Sequence, residues 1–394
     1  MADPAPLPQR QRRPLGVLVK PTSSVCNLAC TYCFYLPTAA MYPWRDRPRL
    51  TTDVLRRFCA QYAELSPALT FAWQGGEPTL MGLPFFEQAV AVQVETASRH
   101  RPAPPVQNAL QTNGTRLDDS WGEFLSAHRF LVGVSLDGPA PWHDRYRRDA
   151  GGGGSHRRVL EGIASLQRHR VEFNILATVN RVNVGRGKEL LRYLVGQGFS
   201  HLQFIPVAES LPDGSLAPYA ITPTQYGRFL LDTFEEWLKI GYRRVRVRFF
   251  DNLVQMLMGM PSGMCTVAPG CGQYVVLEHN GDVYPCDFFV KPEHRLGNIG
   301  ETHLADMVGG AAFRRFAAQK LPVGSRCRRC PYVSLCHGEC PRYRELADPA
   351  GRSSTYFCAG YRTFYRRVLD DARRIAAELL AESGGPARAG PPAP

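Results

Sequence analysis

The feature that most narrows what this chain can become is a triplet of cysteines, Cys26-x3-Cys30-x2-Cys33, standing directly after a short β-rich run at Gly16–Lys20. Three soft ligands on one loop are enough to grip a metal cluster. They are one fewer than the four protein ligands with which a structural zinc site usually closes. A cubane iron–sulfur cluster on three thiolates leaves one iron open, whereas a zinc reading needs a distant His or Cys to complete it.

The surroundings of the triplet predict a parallel sheet. Between Leu15 and Val207, strands are expected at Gly16–Lys20, Leu69–Trp73, Val106–Thr112, Leu131–Leu136, Phe173–Val179 and His201–Pro206, separated by stretches long enough for crossover helices such as Thr52–Leu65. Six such units imply an α/β fold with a partial (β/α)6, TIM-like barrel, whose chemistry belongs at the C-terminal strand ends. Gln74–Pro78, Asn113–Thr115 and Asp137–Pro139 are polar segments that each close a strand. The glycine run Gly151–Gly154 lacks the partners of a phosphate cradle and reads as a loop.

A helix is expected over Tyr226–Ile240, then a small cysteine-rich domain, then a terminal helix over Arg362–Ala381. The expected boundaries are a basic tail at 1–14, a barrel domain at 15–240, the cysteine-rich domain at 241–362, a helix at 363–381 and a second tail at 382–394. Both tails are expected to be disordered.

Eleven of the twelve cysteines fall in tight groups within a long chain that has no signal peptide, which favours metal over disulfides and predicts a reducing, cytoplasmic location. Cys59, the twelfth, sits among apolar neighbours and reads as a small buried hydrophobe. No apolar run is long enough for a membrane span. The formal charge of +12 counts every thiol as neutral. With eleven metal-bound thiolates and three clusters it falls to roughly +7. The remaining arginines lie in short runs, and no nucleic-acid partner is expected.

With Tyr32, Phe34 and Tyr35 around the third cysteine and Gly75-Gly76-Glu77 after the second strand, the chain resembles the radical S-adenosylmethionine superfamily. The resemblance implies that the open iron chelates the methionyl amino and carboxylate groups, and that electron transfer then cleaves the sulfonium to a 5′-deoxyadenosyl radical. It assigns the methionyl amino contact to Gly76 and Glu77, where glycine permits close backbone approach. It also implies S-adenosylmethionine contacts at Tyr32, Ser135, Arg147 and Ile205. Arg145 and Arg148 compete with Arg147 as the carboxylate partner. Tyr35 and Gln74 are candidate substrate-pocket residues.

The downstream pattern Cys265-x5-Cys271-x14-Cys286, Cys327-x2-Cys330-x5-Cys336-x3-Cys340 and Cys358 supplies eight more thiols. It resembles the SPASM extension of peptide-modifying radical enzymes, with zinc ribbons as the structural alternative. The resemblance, not the spacing, assigns Cys265, Cys271, Cys286 and Cys340 to one auxiliary [4Fe–4S] cluster. It gives Cys327, Cys330, Cys336 and Cys358 to another, making three clusters in all.

The cysteine spacing of this second region is closest to the anaerobic sulfatase-maturating enzymes, in which the Asp after the third auxiliary cysteine is the base; here that is Asp287. The resemblance implies oxidation of a Cys or Ser in an unfolded C/S-x-P-x-R-like sulfatase segment to Cα-formylglycine. Hydrogen abstraction, deprotonation by Asp287 and electron transfer to an auxiliary cluster would follow in that order. An electron donor such as flavodoxin or ferredoxin is expected as a partner. The competing reading is a SPASM maturase of a ribosomal natural-product peptide, forming a crosslink, thioether or epimer. Such enzymes often carry a leader-binding domain, for which the residues before the first strand are too few. A zinc-stabilised binding protein is the non-enzymatic alternative.

Overall fold

The computed structural model describes residues 14–382 apart from 212, 322 and 349–353. Apart from Pro14 and Glu382, the two expected tails lie outside the described residues. Strands β1 (Gly16–Lys20), β2 (Leu69–Trp73), β3 (Val106–Thr112), β4 (Leu131–Ser135), β5 (Phe173–Val179) and β6 (His201–Pro206) pair in chain order, every neighbour parallel. Helices Thr52–Leu65, Leu83–Ser98, Asp119–Ala127, His156–Arg168 and Gly187–Gly196 make the crossovers. Strand β1 is buried along four of its five residues, as a strand covered on both faces must be.

The sheet does not stop at six strands. β7 (Arg246–Val247) extends it beyond β6, while β8 (Tyr274–Glu278), β9 (Asp282–Tyr284) and β10 (Gly297–Asn298) extend it beyond β1, giving the order β10-β9-β8-β1-β2-β3-β4-β5-β6-β7. β8 runs parallel to β1, with Lys20 opposite Glu278. The cysteine-rich region therefore shares main-chain hydrogen bonds with the strand that feeds the Cys26–Cys33 loop.

Two helices begin earlier than their apolar periodicity predicts. The helix expected from Tyr226 starts at Pro223, because Thr222 caps it and shares a capping box with Gln225. The terminal helix runs over Cys358–Glu382; its first residues, Cys-Ala-Gly, carry no helical pattern but let it cross close to the earlier helix. A β-carbon on Gly227 would stand 2.6 Å from Cα of Gly360. No helix among the described residues is long and apolar enough to cross a membrane.

Candidate active site

The loop after β1 is tied down on two sides. Asn27 donates to Thr115 Oγ1 at 2.9 Å and accepts from Asn113 Nδ2 at 2.9 Å. On the other flank the amides of Ala29 and Thr31 donate to the carbonyls of Arg148 and Tyr146. Cys26, Cys30 and Cys33 are thereby turned into one cavity over the C-terminal ends of the strands, together with Tyr32, Gly76, Ser135, Arg147 and Ile205. Burial, aided by repulsion from Glu77, pushes the Cys26 thiol up to about 12, and burial raises Cys30 to about 11. Burial raises Cys33 as well. Bare thiolates are disfavoured here, and a cationic cluster core supplies the charge that would offset them, so the donor set fits an iron–sulfur cluster. The sulfurs surround a space and not a point: among the described residues no three His, Cys, Asp or Glu side chains are arranged to hold a single ion.

The glycine pair after β2 is needed for the loop itself. A β-carbon on Gly76 would meet the Val25 carbonyl oxygen at 1.9 Å, and one on Gly75, at φ +126°, would meet that of Ser23 at 2.5 Å. In their place, Gly76 and Glu77 donate their amides to Ser23 and Val25. The glycines thus let two backbones dock, in addition to any approach to a ligand. Glu77 is absent from the cavity lining: its fully buried carboxylate accepts from the Thr79 and Asn113 amides and from the Thr79 and Thr112 hydroxyls. It clamps the turn after β2 to that after β3. Burial pushes its pKa above the usual carboxylate value, against the opposing pull of these four hydrogen bonds.

Asp137, whose segment Asp137–Pro139 reads from sequence only as the polar close of a strand, organises the opposite wall. Fully buried, it accepts from Arg147 Nε at 3.0 Å, from the Thr178 amide at 2.8 Å and from the Tyr32 hydroxyl. Among the three neighbouring arginines, Arg147 is the one that is buried, lines the cavity and lies over the Tyr32 ring; Arg145 and Arg148 are exposed. Burial works against the Arg147 guanidinium, but Asp137, with Tyr32 and Cys30, more than offsets it and holds the charge firmly. His143, also fully buried, accepts the Asp137 amide on Nδ1 and bonds Ser155 Oγ through Nε2.

Asp287 meets a second unforeseen partner. Its Oδ1 lies 2.8 Å from Nζ of the fully buried Lys20, and its Oδ2 accepts from Tyr35 at 2.7 Å and Gln74 at 3.1 Å. Tyr35 and Gln74 line the cysteine-triplet cavity, although Asp287 itself does not. The residue after it, Phe288, lines both that cavity and the next one.

The eight downstream cysteines divide between two further cavities. Cys265, Cys271, Cys286 and Cys340 line one, beside buried Lys320, whose ammonium donates to the carbonyls of Cys265, Thr266 and Ala268. Cys327, Cys330, Cys336 and Cys358 line the other. This is the four-and-four division that the resemblance implied and the spacing did not. Cys59 lies buried in its helix, away from all three.

Residues 21–194 match the model of the radical SAM superfamily, and residues 265–331 match that of an iron–sulfur cluster-binding domain, SPASM. The chain is 34% identical to a serine-type anaerobic sulfatase-maturating enzyme of Bacteroides thetaiotaomicron, covering 93% of this chain and 92% of that protein. It is 33% identical to the cysteine-type enzyme of Clostridium novyi, covering 93% and 98%. A solved structure of native anSMEcpe with bound AdoMet and Cp18Cys peptide superposes with a TM-score of 0.84 at 32% identity, over 93% of this chain and all of that one.

Proposed function

The chain belongs to the anaerobic sulfatase-maturating enzymes of the radical SAM superfamily, and we propose that it oxidises a Cys or Ser in an unfolded C/S-x-P-x-R-like sulfatase segment to Cα-formylglycine. The observation that carries the proposal is the position of Asp287. It follows a cysteine of the second cavity and reaches the first through Tyr35 and Gln74.

Cys26, Cys30 and Cys33 would hold the first of three [4Fe–4S] clusters, and the two downstream cysteine quartets the others. When bound, the clusters and S-adenosylmethionine supply a 5′-deoxyadenosyl radical and a sink for the electron left on the substrate. Around them the chain's own residues divide the work. Arg147, held by Asp137, faces the cavity with a fixed cation suited to the methionyl carboxylate. Gly76, Tyr32, Ser135 and Ile205 shape the rest of that site.

Asp287 takes the proton of the substrate thiol or hydroxyl, which replaces Tyr35 or Gln74 at Oδ2 while Lys20 keeps Oδ1. Deprotonation makes the substrate radical a stronger reductant, which couples the base to the oxidation. Glu209 is the one acidic side chain among the described residues lining this cavity, and it is the natural partner for the arginine of such a peptide. Serine-type and cysteine-type relatives are nearly equally similar, so either residue suits as the target.

The test is anaerobic incubation of the reconstituted protein with S-adenosylmethionine, a reductant and peptides bearing Cys or Ser in the C/S-x-P-x-R context. An aldehyde product is expected. Production of 5′-deoxyadenosine without aldehyde would overturn the substrate assignment. Asp287→Asn should keep its iron and still release 5′-deoxyadenosine while losing aldehyde; unchanged turnover would remove Asp287 as the base.

A further inference from the structure

Two lysines are fully buried among the described residues, Lys20 and Lys320, and they differ in what balances their charge. Lys20 has carboxylates at 2.8 Å, on Asp287, and at 3.8 Å, on Glu278. Lys320 has no carboxylate within 4 Å among the described residues. Its ammonium donates instead to the carbonyls of Cys265, Thr266 and Ala268, at 2.7, 2.9 and 2.7 Å. Three donations need three N–H groups, so the geometry is that of the ammonium and not of the neutral amine. Carbonyl dipoles solvate this charge without neutralising it, and a cation held away from water without a counter-charge is costly.

The side chain is also fixed from behind. Lys320 follows the helix Ala311–Ala318, and its carbonyl accepts from Nη1 of buried Arg344 at 3.0 Å. Arg344 donates to the carbonyls of Gly338 and His337 as well, which ties Lys320 to the segment between Cys336 and Cys340. Held at both ends, Lys320 lines the cavity of Cys265, Cys271, Cys286 and Cys340. In the same cavity the Tyr274 hydroxyl lies 3.2 Å from Cys286 Sγ, and toward a thiolate the hydroxyl is the donor. The other quartet is lined by Arg326, Arg329 and Arg362, all exposed, and no buried cation lines it among the described residues.

A [4Fe–4S] centre on four thiolates is the counter-charge that Lys320 lacks, since it is net negative and becomes more so when reduced. A fixed cation beside it therefore stabilises the reduced form more than the oxidised one, and a hydrogen bond to a ligating sulfur acts in the same direction. We propose that Lys320 is the fixed counter-charge of the cluster held by Cys265, Cys271, Cys286 and Cys340, and that its ammonium raises the reduction potential of that cluster so that it takes up the electron of the oxidation. The inference rests on reading this quartet as a cluster site.

Oxidation of the target side chain to the aldehyde level gives one hydrogen atom to the radical, one proton to Asp287 and one electron to the cluster, as the carbon–heteroatom bond becomes double. Phe288, which lines both this cavity and the first, puts the quartet beside the place where that electron is released. Lys320 touches no reacting atom. It is a positioning residue that acts through the potential.

The test is a redox titration of the anaerobically reconstituted, full-length protein without peptide, followed by electron paramagnetic resonance. Lys320→Gln removes the charge and keeps two donors, whereas Lys320→Arg keeps the charge. In Lys320→Gln one auxiliary signal should titrate at lower potential. Its ratio of reduced to oxidised cluster at a fixed applied potential should fall at least ten-fold, a shift of about 59 mV for one electron. Lys320→Arg should stay close to wild type. The signal that moves should be the one lost in Cys271→Ala and not the one lost in Cys330→Ala.

Coincident curves for Lys320→Gln and wild type, with iron and sulfide unchanged, would overturn the proposal. Equal shifts in the glutamine and arginine variants, or a shift confined to the signal lost in Cys330→Ala, would do the same. Loss of the cluster from Lys320→Gln but not from Lys320→Arg supports the counter-charge, while loss from both would make Lys320 a brace for the loop and overturn it. Zinc in place of iron in wild type would overturn it through the cluster reading beneath it. No peptide is present, so failure of the substrate assignment leaves these results unchanged.

Discussion

Lys20 and Asp287 form a buried ion pair at 2.8 Å, joining the last residue of β1 to the residue after Cys286. Their side chains are 0% and 7% exposed, so neither charge has water to fall back on. Glu278, paired with Lys20 in the β1–β8 register, adds a second carboxylate 3.8 Å from the ammonium. Removing one partner of such a pair strands the other, at a cost of roughly 3 kcal/mol. Lys20→Met should therefore lower the unfolding midpoint of the reconstituted protein clearly. Lys20→Met/Asp287→Asn should recover part of that loss, because the stranded carboxylate becomes neutral. Additive losses in a double-mutant cycle of denaturant unfolding would show that the pair is not energetically coupled.

Gly76→Ala should break the first site and spare the others. Its new methyl group would stand 1.9 Å from the Val25 carbonyl oxygen, so the cysteine loop must move away from the turn after β2. Iron at Cys26, Cys30 and Cys33 and binding of S-adenosylmethionine should both be lost. The two downstream quartets lie outside this contact and should keep their iron. Metal analysis with electron paramagnetic resonance separates the cases, and a full complement of iron with unaltered cofactor binding would contradict the steric reading.

What the sequence made legible follows from how local each signal is. The six barrel strands announce themselves through β-rich runs bounded by turns, and all six form. The cysteine triplet, the glycine turn and Ser135 each sit in a short motif, and one cavity gathers them. Lys20 could not be read in the same way. A lysine ending a strand looks like a solvent-facing residue until β8 is placed beside β1, and its partner is 267 positions away in the chain. Asp137 stood in a turn motif, but the need for a buried acid appears only when Arg147 and Tyr32 are folded against it. Glu77 runs the other way: its motif points toward the cofactor, while hydrogen bonds turn its carboxylate into the protein.

Glu209→Gln should act on peptide binding and leave the chemistry largely intact. The carboxylate lines the cavity and is ion-paired with Arg342, which lies 4.3 Å above the Phe288 ring. Losing one charge-assisted contact to a substrate arginine is worth about ten-fold in affinity. KM for the arginine peptide should rise by that order with kcat nearly unchanged. A peptide with glutamine in place of arginine should have nearly the same KM with both enzymes. An equal effect on the two peptides would place Glu209 in the architecture of the cavity and not in recognition.

The last prediction concerns acid. Burial lowers His143 from the ordinary histidine value of 6.5 to about 4, so the folded protein holds a neutral ring. Nδ1 accepts the Asp137 amide, which leaves Nε2 carrying the proton toward Ser155 Oγ, and Ser155 in turn donates to the Arg147 carbonyl. A depressed histidine favours the folded state above its unfolded value, and that advantage is lost as pH falls from about 6.5 through about 4. The full loss is of the order of 3 kcal/mol. His143→Gln keeps a donor and an acceptor in this position but does not titrate. Measured by denaturant unfolding across that range, the gap between wild type and variant should narrow or reverse toward acid pH, since wild type loses stability that the variant never had. Parallel curves would mean that His143 does not titrate with unfolding. Protonation of the folded protein itself, at a pH of about 4, would disturb the backbone that presents Asp137 and Arg147, so S-adenosylmethionine affinity should hold down to that pH in wild type, fall through it, and stay flatter in the variant.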